Sequence, residues 1–343
     1  MRTLLFISLL SFKLLSEAQS PLSFIQSERT DRLDPQITSQ RSLVIISTPK
    51  KDDKWKTYAR YVHKAFRVMG VDAVNYMHYL DYNASPVVKQ ANDSYASRRQ
   101  IKFYIVIEEK GNAFRMAVQN QSSTTDEAWY SEADDLRQLI LNLAVTLKRI
   151  EHANQNFLIA VEPEYLSSLS MFEGTRYQTY PTRIKRMKMA IMELPKIAID
   201  GMEGTQQRAE IEDYNLEIEE KNQIITRVIE KYPHKLDLVP IQPEKDLYRQ
   251  GYQYVIYYLR SSAESIRNIL AYESTSQPEY ISQLTLEDGK RSLITYSSDE
   301  TLYKWYIKQT VISDLHVGRY WDAHEDFENS FEHFINRLNT ILR

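Results

Sequence analysis

Arg99-Gln100-Ile101-Lys102-Phe103-Tyr104-Ile105-Val106-Ile107 and Arg249-Gln250-Gly251-Tyr252-Gln253-Tyr254-Val255-Ile256-Tyr257 are two versions of one segment. Each pairs an Arg-Gln lead-in with a β-branched and aromatic run, the composition of a buried strand. What flanks the two copies also matches, so the chain reads as two related α/β modules.

Outward from the first copy, residues 41–150 form the first module. Leu43-Val44-Ile45-Ile46 is a continuous apolar run of the kind found in buried parallel strands. Asp52 or Asp53 caps a helix in which Trp55, Ala59, Val62, Phe66 and Met69 recur at helical spacing, and Gly70 ends it. Residues 71–77 make a second strand, and Ser85-Pro86 opens a helix that runs to Arg98. The quoted strand follows over residues 101–108. After the turn at Gly111-Asn112, Phe114, Met116 and Val118 alternate in a return strand. Trp129 precedes a long helix striped by Leu136, Ile140, Leu143, Leu147 and Ile150. The order is β-α-β-α-β-β-α.

A connector spans residues 151–188, with a strand-like run at 157–161, a short helix opened by Pro163, and a basic, solvated stretch at Arg183, Lys185, Arg186 and Lys188. The second module, residues 189–343, repeats the order of the first. Its first strand is residues 189–194 or 197–199, and Thr205 caps a helix with Ile211, Tyr214, Ile218, Ile225 and Ile229 inward. A strand at 236–241, a helix opened by Pro243 and the second quoted strand follow. An insert at 261–299 carries Asp288-Gly289 between alternating runs, a hairpin signal. Tyr303, Trp305, Ile307 and Gln309 alternate in the return strand. Trp321 precedes a last helix with Phe327, Phe331, Phe334, Leu338 and Ile341, stepped four, three, four, three like its counterpart. The strand–helix–strand units must cross over right-handedly. Each module is therefore expected to be a small mixed sheet flanked by helices, in an α/β (α+β mixed) chain.

The 343 residues suit two domains, and a net charge of −3 gives no field that would recruit nucleic acid. Arg2, the apolar run over residues 4–15 and Ser16-Glu17-Ala18 read as a signal peptide (residues 1–18) that leaves Gln19 first, too short for the ~20 residues of a membrane span. Residues 19–40 are polar and read as a flexible leader. Without cysteine, an exported chain has no disulfides, thiol nucleophile or thiolate metal site. The expected location is periplasmic or extracellular. Asn83-Ala84-Ser85, Asn92-Asp93-Ser94 and Asn120-Gln121-Ser122 are glycosylation sequons.

Gly251-Tyr252-Gln253-Tyr254-Val255-Ile256 followed by Gly318-Arg319-Tyr320-Trp321-Asp322-Ala323 is similar to the amino-terminal domain of TolB and the related curli-secretion lipoprotein domain. There, a helix leads into a glycine-plus-hydrophobic strand, a return strand and a tryptophan before the final helix. The first module departs from this pattern, with Ile101 in place of the glycine and no glycine before Trp129. Nothing in residues 41–343 reads as the carboxy-terminal propeller that TolB carries. The resemblance implies an envelope protein that binds other proteins.

The candidate polar sites are few. Ser47, Lys50 and Lys51 follow the first strand, where open α/β sheets bind ligands, and the lysines there would meet an anion at the helix start. No glycine accompanies them, so a solvated loop is the plainer reading. Asp314 and His316 share one face of a strand end. His324 stands one helical turn from Glu328, whereas His333 falls on the opposite side of that helix, so the two histidines cannot share an ion. No phosphate-binding, dinucleotide-binding or G-x-S-x-G motif is present. The sequence thus points to an exported, non-catalytic protein with a binding or scaffolding role in cell-envelope assembly, using no cofactor, with an envelope protein as partner. The alternative is a hydrolase or small-ligand-binding protein with its site at strand ends or between the modules.

Overall fold

Apolar runs place the strands, and helical stripes cover them. The computed structural model describes residues 27–122, 127–150, 160–166, 174–199, 205–272, 277–312 and 314–342. The first sheet holds β1 (Glu28–Thr30), β2 (Arg41–Ser47), β3 (Asp72–His78), β4 (Ile101–Lys110), β5 (Ala113–Asn120) and β6 (Glu127–Ala133), in the order β1-β6-β5-β4-β2-β3. The second module supplies β7 (Arg176–Tyr177), β8 (Lys188–Met192), β9 (Leu236–Val239) and β10 (Tyr252–Ser262), then the hairpin β11 (Glu279–Thr285) and β12 (Arg291–Ser297), then β13 (Thr301–Gln309) and β14 (Leu315–His316). Its sheet runs β7-β14-β13-β10-β8-β9. Each position matches the first sheet in pairing direction: parallel at the outer edge, antiparallel over the next two pairs, and parallel over the last two.

Helices α1 (Lys54–Met69) and α4 (Leu136–Lys148) cover one face of the first sheet, through Trp55, Val62, Phe66, Leu139 and Leu143. Helices α2 (Tyr79–Tyr82) and α3 (Pro86–Arg98) cover the other, through Tyr79, Tyr82 and Ala96. In the second module, α5 (Thr205–Ile229) and α8 (Phe327–Ile341) cover one face. On the opposite face, α6 (Glu244–Arg249) and α7 (Ala263–Ile269) pack together with Ala84 and Val88 of the first module. One apolar core therefore runs across the junction between modules. The chain is mixed α/β as expected, and among the described residues no helix is long and apolar enough to cross a membrane.

Several boundaries differ from the sequence reading. The flexible leader is wrong for residues 27–40: β1 pairs with β6, a 3-10 helix spans Pro35–Thr38, and Leu33 and Ile37 are buried in the first core. Two apolar side chains in a polar stretch suffice to pin it down. Trp129 does not merely precede a helix; it lies within β6, a strand missing from the expected order. Residues 163–166 are not helical. Tyr165 forms a parallel bridge with Tyr76, and Tyr76 N donates to Glu164 O at 2.9 Å, which satisfies the open edge of β3. The connector also supplies β7 to the second sheet. Its basic stretch is solvated as expected at Arg183, Arg186 and Lys188, around a fully buried Ile184, and Arg183 Nε donates to Tyr254 Oη at 2.5 Å. Of the two candidates for the second module's first strand, residues 188–192 form it. The signal peptide, residues 19–26 and 151–159, and the remainder of the Pro163 helix lie outside the described residues.

Candidate functional site

In each sheet the chain leaves the first strand for one neighbour and later arrives at the other, so β2/β4 and β8/β10 are the switch points. Ligands of open α/β sheets bind at the carboxyl ends of such strands. These two places are therefore where chemistry is to be sought.

In the first module, the carboxyl ends of β2 and β3 deliver Ser47, Thr48 and His78, all buried. Leu80 N donates to His78 Nδ1 at 3.2 Å, which leaves the ring proton on Nε2 to donate to Thr48 Oγ1 at 3.0 Å. Thr48 Oγ1 in turn donates to Lys50 O at 2.6 Å. Burial holds the His78 imidazole down at about 3, so it is neutral. Lys51 reaches inward to Asp81 Oδ2 at 2.6 Å and also donates to Ser265 Oγ of the second module. Ser261 Oγ donates to Asp81 Oδ1 at 3.1 Å, and Ser262, the cap of α7, donates to Ser265 Oγ at 3.0 Å. Burial alone would raise the Asp81 carboxyl, but the Lys51 ammonium and the hydrogen bonds outweigh it and hold the group below its usual range.

The chemical meaning of this cluster follows from its connections. Ser265 beside Lys51 has the residue types of a nucleophile and its base. However, an ammonium that donates to both a carboxylate and the serine oxygen has no lone pair with which to take the serine proton. The cluster acts as a tie between modules. Lys51 thus departs from the solvated loop expected for it, whereas Lys50 is exposed as expected and offers only its carbonyl.

In the second module, residues 193–199 leave β8 as an extended strap along α5. Asn222 accepts from Leu194 N at 2.8 Å and donates to Leu194 O at 3.1 Å. Asn215 does the same for Ile197, at 2.8 and 2.9 Å. The fit is geometric: seven helical residues rise about 10.5 Å, and three extended residues span about 10 Å. Beneath the strap lies a cavity of about 160 Å³, walled by Ile191, Leu194, Ile225, Ile256, Tyr258 and Trp305 and closed at one side by Pro86 of the first module. Glu193, Leu194, Pro195 and Ile241 also line an open groove of about 710 Å³ that continues along α5 past Lys196, Arg227 and Glu230.

The other expected site residues do not join either crevice. His316 Nδ1 lies 2.9 Å from Thr179 O, and its ring stacks on Tyr177 at 5.3 Å. Asp314 accepts from Thr175 N at 3.4 Å. His316 pairs with Ile307 and His324 with Tyr303, so four strand residues, about 13 Å, separate the two histidines along β13. Burial lowers both. His324 and His333 do not lie on opposite sides of one helix, because α8 begins only at Phe327 and His324 precedes it. Their rings sit 5.9 Å apart. Among the described residues no three potential metal-ligating side chains come together.

Sequence reasoning missed two buried ionic groups. Glu108 and Arg115 pair across β4 and β5, and Glu210 of α5 joins them by accepting from Arg115 at 2.9 Å and Arg29 at 3.0 Å, a second tie between modules. Lys304, wholly buried in β13, meets Asp322 at 2.8 Å, and Arg337 meets the same carboxylate at 3.1 Å. Burial lowers the Lys304 ammonium, against the pull of Asp322. The available signal was a lysine between Tyr303 and Trp305 in an otherwise apolar run. No protein-family model, curated protein or solved structure matches the chain.

Proposed function

We propose that the protein is an exported, non-catalytic binding or scaffolding protein of the cell envelope, built from two modules that arose by duplication. The observation that carries the reading is the use made of the first switch point. Lys51, Asp81 and the serines of the second module, placed where a substrate site would be expected, bind one another across the junction. The matched sheet orders support duplication. The likeness of residues 251–256 and 318–323 to TolB-type domains, together with the apolar run at residues 4–15, supports an envelope setting.

The surface offered to a partner is the outward face of the β11–β12 hairpin. Tyr280, Ser282 and Leu284 point inward, whereas Ile281 and Leu293 are 62% and 66% exposed. The register pairs Ile281 with Thr295 and Gln283 with Leu293, so the two apolar residues are diagonal neighbours on one face. The test of the non-catalytic reading is turnover by the purified chain of ester, phosphoester, glycoside and peptide substrates. The expected result is none. Turnover abolished by Ser265→Ala would overturn the reading.

A further inference from the structure

We propose that the cavity beneath the 193–195 strap is a binding site for a compact apolar group, the size of a benzene ring or the end of an alkyl chain. This goes beyond the protein-binding reading and does not depend on it.

Three observations converge. The first is position: the cavity lies at the carboxyl end of β8, against the middle of β10, beside the switch point of the second sheet, where the paired Ile191 and Ile256 form its floor. At the first module's switch point Lys51, Asp81 and α7 of the other module fill the crevice, whereas Glu193 is the one charged residue among those lining this cavity. The second is size and chemistry. At about 160 Å³ the void is well above the gaps left in ordinary packing, and its walls are almost wholly hydrocarbon. A cavity of roughly 150 Å³ lined by aliphatic and aromatic side chains stays dry and takes up benzene. The walls offer water almost no hydrogen-bond partner, whereas a compact apolar group makes the contacts they lack. The third is the roof. Leu194 and Pro195 cover the cavity as part of a strap tied to α5 by Asn215 and Asn222. Glu193 N still donates to Val239 O of β9 at 2.9 Å and Lys196 pairs with Glu219, but beyond Glu193 the strap has no β-ladder, and Ile241, 54% exposed, stands where the cavity meets the open groove.

The apolar group has two possible sources. A free compact molecule would occupy the cavity alone. The alkyl end of a longer amphiphile would leave its remainder in the groove beside Thr226 and Glu230.

The experiment uses the full chain, labelled at isoleucine methyls and backbone amides, titrated separately with benzene and with decanol. Benzene is expected to shift the methyls of Ile191, Ile225 and Ile256. If decanol shifts these and also the amides of Thr226 and Glu230, the amphiphile is the source; if it shifts none, the free molecule is. Leu194→Phe drops a ring into the void and is expected to weaken binding by about tenfold or more. Ile241→Trp, at an exposed position that the fold does not depend on, is expected to block entry by closing the mouth. The proposal is overturned if neither ligand shifts the three methyls, or if the shifts survive unchanged in a folded variant of either kind.

Discussion

Replacing Asp81 by alanine removes the centre of the tie between modules. Its carboxylate meets Lys51 at 2.6 Å, and the two side chains are only 11% and 15% exposed. Unit charges this close attract by about 6 kcal/mol at an effective dielectric of 20, against which stands the cost of taking both from water. Deleting one partner strands the other, at a typical cost of 3–5 kcal/mol. Lys51 keeps some access to solvent, so the lower figure applies, about 3 kcal/mol. Urea unfolding followed by tryptophan fluorescence should show the midpoint falling by about 1 M or more. The Lys51→Met/Asp81→Leu double variant exchanges the pair for apolar groups of similar size and should recover most of the loss. The pH dependence has a definite sign. Asp81 titrates lower folded than unfolded, so its contribution is present above about pH 4 and is lost as pH falls through the folded value. Asp81→Ala should lack that acid-side loss. Asp81→Ala within about 0.5 kcal/mol of wild type, or a double variant as unstable as the two single losses added together, would mean that this pair does not tie the modules.

Other perturbations give separable outcomes. His78 titrates at about 3 folded against about 6.5 unfolded, so stability should fall by up to about 5 kcal/mol as pH drops through that interval. His78→Gln should flatten this dependence in denaturation curves taken at successive pH values. Glu210→Ala removes the acceptor that Arg29, Lys110 and Arg115 share and should cost about 1–3 kcal/mol, with faster amide exchange at the start of α5 and along β1. Ile37→Ala should cost about 2–4 kcal/mol by thermal or urea unfolding, because that side chain is fully buried; a true flexible leader would show no change.

The parts of the fold that read well from sequence are those with strong local periodicity. The stripe Trp55, Ala59, Val62 and Phe66 is buried as its spacing requires, Gly70 takes the left-handed cap at φ 76°, and Ser85 caps α3. Asp288-Gly289 turns the hairpin as expected, with Gly289 at φ 81°. What was illegible depended on distant partners. Leu33 and Ile37 carry no period, and their burial exists only because the first sheet's apolar face is there to receive them. β6 contains Glu127, Ser131 and Glu132, so it has no apolar run to announce it. Lys51 reads as a loop lysine until Asp81 and Ser265 arrive from elsewhere in the chain. The strap over residues 193–199 resembled a second strand candidate because Ile197 and Ile199 suit one; Asn215 and Asn222 hold it as an extended segment outside the sheet.

On the proposed reading the chain acts by binding through a surface away from its occupied first switch point. A cross-linked pull-down from the native cells, using the full chain with a carboxy-terminal tag, tests this. Wild type would be compared with the Ile281→Glu/Leu293→Glu variant, whose changes lie on the exposed hairpin face and spare the core. One stoichiometric envelope protein is expected with wild type, lost from the hairpin variant, while Asp81→Ala disturbs stability more than capture. A clean monomer with no partner, or a partner retained equally by the hairpin variant, would contradict it.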